Sequence, residues 1–411
     1  MNVPESASPP PPAGAAFPAW LAALEESLQR RRDAHLLREL RPLSSATGPT
    51  VTIDGRQFVQ FCTNNYLGLA TDPEVIDAAR DATARLGAGS GASRLVAGSL
   101  ELHHELESAL ARLKHAEAAL VFPTGFMANL AVLTTFAGEH DAIVSDKLNH
   151  ASLLDAAKFS GAAHRAFPHR RYSRAAELLA RFHACAPASR RFLVSDSVFS
   201  MDGDVADLPA ACDAAERHAA LVVIDEAHAT GVLGARGAGL AEAQGVEERV
   251  AVTVGTLSKA LGSLGGFVAG RRAVIETLVN AGRPFIYTTA LPPACAGAAL
   301  VALRIVEREP ARRERVLGLA ERVREELRGM GFDCGDTRTP IVPVILGEAE
   351  KALEAAAFLR ERGIYVPAIR PPTVGPGAAR LRVSLMATHS DGQVEQLLEA
   401  MRALRGKGVA G

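Results

Sequence analysis

The chain of 411 residues is poor in several features, and each shortage removes a class of protein. Its five cysteines, at positions 62, 185, 212, 295 and 334, are odd in number and form no C-x-x-C pair. A disulfide framework and a structural zinc site are therefore not expected, and a reducing compartment is. Charge of one sign is missing too. The 45 basic and 46 acidic residues leave a net charge of −1, so no field draws the chain to nucleic acid or to an anionic membrane. No apolar run reaches the ~18 residues of a membrane span. The longest, near 294–303, is stopped by Arg304. No lysine or arginine precedes Arg30, so the opening MNVPESASPPPPAGAA has neither the basic start of a signal peptide nor the arginines of a transit peptide. Residues 1–16 are expected to be a disordered Pro-rich tail. The protein is expected to be soluble and cytoplasmic.

One further absence decides how an unusual segment is understood. Residues 221–230, LVVIDEAHAT, form an apolar run that stops at two acids and a histidine. Asp-Glu-Ala-His is also the metal-site box of a helicase family, which requires an upstream G-x-x-x-x-G-K-[ST] loop to cradle a triphosphate. No such loop exists here; the nearest Gly-Lys pair is Gly406-Lys407, at the far end. Asp225 and His228 therefore serve some other chemistry.

What the chain does contain is 48% hydrophobic residues, 36 glycines and few aromatics, a composition suited to close-packed α/β layers. Leu21, Leu24, Leu28, Leu36, Leu37 and Leu40 follow helical spacing and predict a first helix over 19–40, closed by Pro42. VTID and QFVQFC flank Asp54-Gly55, a hairpin signal. Asp72 followed by Pro73 marks a helix start. Leu102, Leu106, Leu110 and Leu113 share a face of another helix. Then short apolar runs alternate with helices: 118–122, 142–145, 191–195, 221–225, 250–255 and 266–270. Such runs are strands buried on both faces, so an α/β fold is expected, a mostly parallel sheet covered by helices. Beyond residue 295 the order becomes two helices (293–309, 311–330), then strand, helix, strand, strand, helix. The expected division is a helix-and-hairpin segment at 17–60, a large domain at 61–295 and a smaller C-terminal α+β domain at 296–411.

Parallel sheets bind ligands past the carboxyl ends of their strands, and four strand ends here carry unusual groups. PTGFMANL (123–130) leaves the backbone N–H groups of Gly125 and Phe126 at a helix start, an anion site, although many strand-to-helix turns look alike. SDKLNHASLLD (145–155) sets His150 before a helix, where a lone histidine is more often solvated than functional. Asp225 closes an apolar strand and needs a cation to offset its burial; His228 lies in the same turn. VTVGTLSKALGSLGG (252–266) places Lys259 after a strand, as an ion-pair partner or a nucleophile, with the hydroxyls of Thr256 and Ser258 beside it. Together these parts describe a flat, phosphorylated, nitrogen-bearing aldehyde. Pyridoxal 5′-phosphate (PLP) needs a lysine amine for an imine, an anion site for phosphate, and a carboxylate that keeps its ring nitrogen protonated.

The segments GSGASRLVAGS (89–99), SVFSMDGD (197–204), DEAHATGVLG (225–234), GTLSKALGSLGG (255–266) and FIYTTALPP (285–293) resemble, in order and spacing, the α-oxoamine synthase group of fold type I PLP-dependent transferases. The resemblance covers roughly residues 20–405 and implies a decarboxylative condensation of an amino acid with an acyl thioester. AIRPPTVGPGAARLRVSL (368–385) is similar to the branch that serves biotin synthesis. That branch joins L-alanine to a pimeloyl group carried by CoA or a carrier protein. The resemblance implies that Lys259 holds PLP and acts as base, with His150 on the ring face and Asp225 at the ring nitrogen. Ser200 and His228 would meet the ring oxygen, and Gly125, Phe126 and Thr256 the phosphate. Arg382 would pair with the alanine carboxylate near Asn64, with Arg370 as the alternative. Arg38 and Thr373 would face the acyl donor, although Arg38 also suits a solvated helix face. Such sites sit at homodimer interfaces, so Thr288 or Thr289 would reach the partner's phosphate. One departure is Asn65, where relatives carry aspartate. The rivals are a glycine-using synthase, an aminotransferase and a PLP-binding protein without synthase activity.

Overall fold

A computed structural model describes residues 16–408. The Pro-rich stretch 1–15 lies outside the described residues, and Ala16 already belongs to a helix. The hairpin forms as β1 (Thr50–Ile53) and β2 (Arg56–Gln60). Asp54 and Gly55 both take positive φ, 51° and 73°, as a tight two-residue hairpin turn requires.

The apolar runs become strands of one seven-stranded sheet. They are β3 (Ala118–Phe122), β4 (Ala142–Asp146), β5 (Ala163–Phe167), β6 (Arg191–Asp196), β7 (Leu221–Asp225), β8 (Val252–Thr256) and β9 (Gly266–Gly270). Their spatial order is β3-β9-β8-β7-β6-β4-β5. β9 runs against β3 and β8, and the other pairings are parallel. Successive residues feed opposite faces. Val222 and Ile224 join a core with Val144 and Leu193, while Val223 joins Ile143, Phe192 and Val254 on the other side. Burial on both faces is why these strands are unbroken apolar runs. β5 is the strand the pattern did not reveal. It lies at the sheet edge, and of AHRAF only Phe167 is fully buried.

The first helix spans Ala16–Asp33 and so stops well short of residue 40. His35 takes the left-handed conformation (φ 57°). Its N–H bonds to Arg32 O at 3.0 Å, and Leu36 N–H bonds to Arg31 O at 2.8 Å. This is a Schellman ending with histidine where glycine is usual, so no glycine marked it in the sequence. Asp72 caps the helix Pro73–Leu86 by accepting from Glu74 N–H at 3.0 Å. The two long helices form at Pro293–Arg308 and Pro310–Gly329.

The C-terminal part holds β10 (Ile341–Gly347), β11 (Ile364–Tyr365), β12 (Ala368–Ile369) and β13 (Ala379–Ser384), one short strand more than expected. β10, β13 and β12 make an antiparallel sheet, while β11 adds in parallel to the hairpin strand β2. The chain after β6 turns tightly against β10 at Gly203 (φ 67°). A Cβ there would lie 2.2 Å from Ile341 O, and the hydroxyls of Thr337 and Thr339 both donate to Gly203 O at 2.9 Å.

Candidate active site

β3, β4, β6, β7 and β8 all point the same way, so the segments following them converge at one edge of the sheet. They carry Gly125, His150, Ser200, Asp225 with His228, and Lys259. Topology alone gathers groups scattered over more than a hundred residues.

Asp225 ends β7 and is buried. Its Oδ1 accepts from Ala227 N–H at 2.7 Å and its Oδ2 from Asn129 Nδ2 at 2.6 Å, yet it forms no ion pair among the described residues. Asn129 also donates to Ser152 Oγ at 2.9 Å, and its own Oδ1 is buried without a partner. Lys259, half-buried, has no hydrogen bond or ion pair to any described residue. Burial lowers its pKa; the charges of Asp225 and Asp196 act against that, and Arg382 acts with it. Thr256 Oγ1 donates to Gly265 O at 2.7 Å and lies beside Gly125. Ser258 Oγ donates to the same carbonyl at 3.1 Å. The helix Gly125–Phe136 starts here, capped by Thr124 Oγ1 accepting from Met127 N–H at 3.2 Å. Its first N–H groups, at Gly125 and Phe126, have no intrahelical acceptor.

His150 caps the helix Ala151–Phe159, its Nδ1 2.8 Å from Ser152 Oγ and its N–H donating to Asp196 Oδ2 at 2.5 Å. It is exposed in the single chain, but lost hydration still lowers its pKa; Asp225 opposes that shift and Lys259 adds to it. His228 is buried, and that burial holds its pKa well below the ordinary value, helped by the charges of Lys259 and Arg382. It is neutral, with Nδ1 2.7 Å from the Tyr66 hydroxyl. Asp196, at the end of β6, is pushed the other way: burial and then the charge of Asp225 raise its pKa well above the carboxylate range.

Arg382 reaches this cluster from β13. Its Nε donates to Ser200 O at 2.5 Å, Nη1 to Ser384 Oγ at 2.9 Å, and Nη2 to Asn64 Oδ1 at 3.1 Å and the Tyr66 hydroxyl at 3.3 Å. It is buried and has no carboxylate partner among the described residues. Ser200 thus meets Arg382 through its carbonyl. Arg370 turns elsewhere, donating to the carbonyls of His35 and Leu37, the latter at 3.3 Å. Arg38 Nη2 donates to Thr373 Oγ1 at 2.8 Å, which joins those two far-separated residues at the surface. Thr288 and Thr289 lie on an accessible loop. Tyr66, Asn129, Ser152 and Asp196 were not singled out from the sequence. Asn129 alone left a trace there, as an amide in the apolar helix GFMANLAVL.

At the carboxyl edge of the sheet, Lys259 and Asp225 thus stand without an ionic partner among the described residues. The aminotransferase class I and II model matches residues 56–401, and the chain belongs to that family. Within it, the chain is 49% identical over 385 residues to an 8-amino-7-oxononanoate synthase of Anaeromyxobacter dehalogenans, covering 94% of this chain and 95% of that relative. It is 48% identical to the Stutzerimonas stutzeri protein of the same name, over 92% and 95% of the two chains. The serine palmitoyltransferase of S. paucimobilis, solved with a bound PLP–myriocin aldimine, superposes with a TM-score of 0.89 at 32% identity, over 95% of this chain and 98% of that one. The chain is therefore a member of the 8-amino-7-oxononanoate synthase family.

Proposed function

We propose that this chain catalyses the PLP-dependent, decarboxylative condensation of L-alanine with a pimeloyl thioester to give 8-amino-7-oxononanoate. Three features fit the cofactor: the Lys259 amine without a partner, the buried Asp225 carboxylate without a cation, and the open N-terminal N–H groups of the helix at Gly125. When bound, PLP supplies an electron-accepting ring conjugated to the amino acid's nitrogen.

The chain's own groups do the rest. Asp225, aimed by Asn129 and Ala227 N–H, holds a proton on the ring nitrogen; its burial is thereby offset by the cation it otherwise lacks. Lys259, its pKa lowered by burial, would take the proton from Cα of the amino acid; the acyl group joins that carbon as its thiol departs, the carboxylate leaves as CO2, and Lys259 would return a proton to the same carbon. Arg382 receives the amino acid's carboxylate with a planar guanidinium that lysine does not reproduce; Ser200, Ser384, Asn64 and Tyr66 fix that group and leave one Nη1 N–H open. That contact would orient the amino acid's Cα–H bond toward Lys259. His150 packs on the ring face and polarises the thioester carbonyl. His228, kept neutral, meets the ring oxygen together with Ser200, and Gly125, Phe126 and Thr256 hold the phosphate. Arg38 and Thr373, already bonded to one another, face the acyl donor.

The carrying observation is the buried Arg382 guanidinium, whose protein partners are all uncharged. The pimeloyl donor is CoA-linked or carrier-linked, and the catalyst is a cytoplasmic homodimer. No helix among the described residues is long and apolar enough to cross a membrane, and Val96, Phe126, Leu264 and Tyr287 expose apolar surface suited to a partner subunit. The large and small domains at 61–295 and 296–411 belong to the same proposal. Incubation with L-alanine and pimeloyl-CoA, followed by mass analysis, is expected to give 8-amino-7-oxononanoate. Product from glycine or L-serine but not from alanine overturns the amino-acid assignment.

A further inference from the structure

A second charged cluster lies behind the site, centred on His169. This residue follows the edge strand β5, and its ring bridges two carboxylates. Nδ1 is 3.0 and 3.1 Å from the two oxygens of Asp146, and Nε2 is 2.8 Å from Asp204 Oδ2. A carboxylate only accepts, so both ring nitrogens must donate; the geometry requires an imidazolium. The ring stands edge-on to Phe199, with centroids 4.4 Å apart at 88°.

Each aspartate controls a segment that carries a substrate-facing group. Asp146 ends β4, and its Oδ1 accepts from Leu148 N–H at 2.8 Å, shaping the turn that ends in His150. Its Oδ2 accepts from Arg170 N–H at 2.7 Å. Asp204 closes the SMDGD turn, whose Ser200 carbonyl holds Arg382 Nε. Phe199, under the His169 ring, directly precedes Ser200. Arg170 extends the network, with Nη1 3.1 Å from Asp204 and 3.3 Å from Asp336, which precedes β10.

We propose that His169 is a positioning residue: its charged ring locks the turn bearing His150 to the turn that holds Arg382. This inference rests on the proposed function. It predicts that the clamp governs how tightly the amino acid's carboxylate is met, while its effect on the acyl donor, through His150, falls on kcat and not on that donor's KM. The facing groups are Asp146 from β4, Asp204 and Phe199 from the turn after β6, Arg170, Asp336 from the C-terminal part, and Tyr172 from the next helix. Burial alone would lower the histidine's pKa, but the two carboxylates outweigh it and push it up to about 9. The clamp is therefore complete at neutral pH and lost as pH rises through that value.

The test compares wild-type holoenzyme with His169→Gln, which keeps the length and loses the charge, and with Tyr172→Phe as a neighbouring control. His169→Gln is expected to raise KM for L-alanine about tenfold, the equivalent of one broken contact of ~1.4 kcal/mol, while KM for pimeloyl-CoA moves less than about twofold. The ratio of alanine affinities, wild type over variant, should fall towards one as pH rises through about 9; alanine's own ionisation cancels in that ratio. Tyr172→Phe should match wild type in both constants. An alanine KM for His169→Gln within twofold of wild type, or an equal rise in both KM values, overturns the assignment. Should wild type yield no condensation product, the proposed function fails, and alanine titration of the holoenzyme's absorbance still decides on the clamp.

Discussion

Asp225 and Glu226 are consecutive, buried and both acidic, yet the fold treats them in opposite ways. Glu226 is fully partnered: Lys114 Nζ lies 2.6 Å from its Oε2, Ala241 N–H donates to its Oε1 at 2.9 Å, and Lys114 also donates to Thr230 Oγ1 at 2.9 Å. Among the described residues Asp225 has only an amide and a backbone N–H. The pair Arg380 and Arg382, two apart on β13, repeats the contrast. Arg380 meets Asp202 at 2.6 Å, while Arg382 meets no carboxylate among the described residues. Burying an unpaired charge is costly, so a fold keeps one only where something else supplies the opposite charge. The satisfied member of each pair builds the scaffold, and the unsatisfied member marks where a ligand's charge goes.

That contrast can be broken most severely at Lys259, which has no protein partner to lose. Lys259→Ala is expected to lower kcat by about 10³-fold or more and to abolish borohydride-trapped PLP, with little change in apoenzyme unfolding. A melting point that collapses with activity would place Lys259 in the scaffold instead. Next in size is the pair at 225 and 226. Glu226→Gln leaves the Lys114 ammonium buried and unpaired, for an expected loss of about 3–5 kcal/mol in denaturant unfolding. Asp225→Asn forfeits one hydrogen bond, about 1 kcal/mol, yet should release PLP in dialysis. Equal destabilisation by the two changes would erase the distinction drawn here.

On β13 the expected effects are smaller. Arg382→Lys loses the planar guanidinium held by four protein acceptors and should raise KM for alanine about 10²-fold, whereas Arg380→Lys should move it less than about threefold. A separate effect concerns pH. His389 is buried against Phe61, between Met386 N–H and the Gln60 carbonyl, and burial lowers its pKa to about 4. The folded state therefore needs it neutral. Its contribution is present above about 6.5 and is lost as pH falls from there towards 4. Urea midpoints measured across that range should fall for wild type and flatten for His389→Gln.

Much of this was visible from residue order. The strands were legible because burial on both faces leaves unbroken apolar runs; Asp225 and Lys259 stood out as candidates because each follows such a run, whereas His150 was nominated only through the family resemblance. β5 was not, since an edge strand with one buried residue carries no such pattern. The early stop at Asp33 was hidden because a histidine, not a glycine, takes the left-handed position. Asn129 and Asp196 stayed unassigned because their significance lies in what faces them across the sheet. His169 reads as an ordinary loop histidine until Asp146 and Asp204 flank it.

Local periodicity and a handful of ordered segments were enough to specify the kind of sheet and the family, and to nominate the lysine, because those depend on residues near one another along the chain. Which charges remain without a partner is another matter. That Glu226 finds Lys114 while Asp225 does not, and that Arg382 rather than Arg370 reaches Asn64 and Tyr66, follows from contacts between segments more than a hundred residues apart. Electrostatic partnership acts through space at a few ångströms, so only the folded chain decides it.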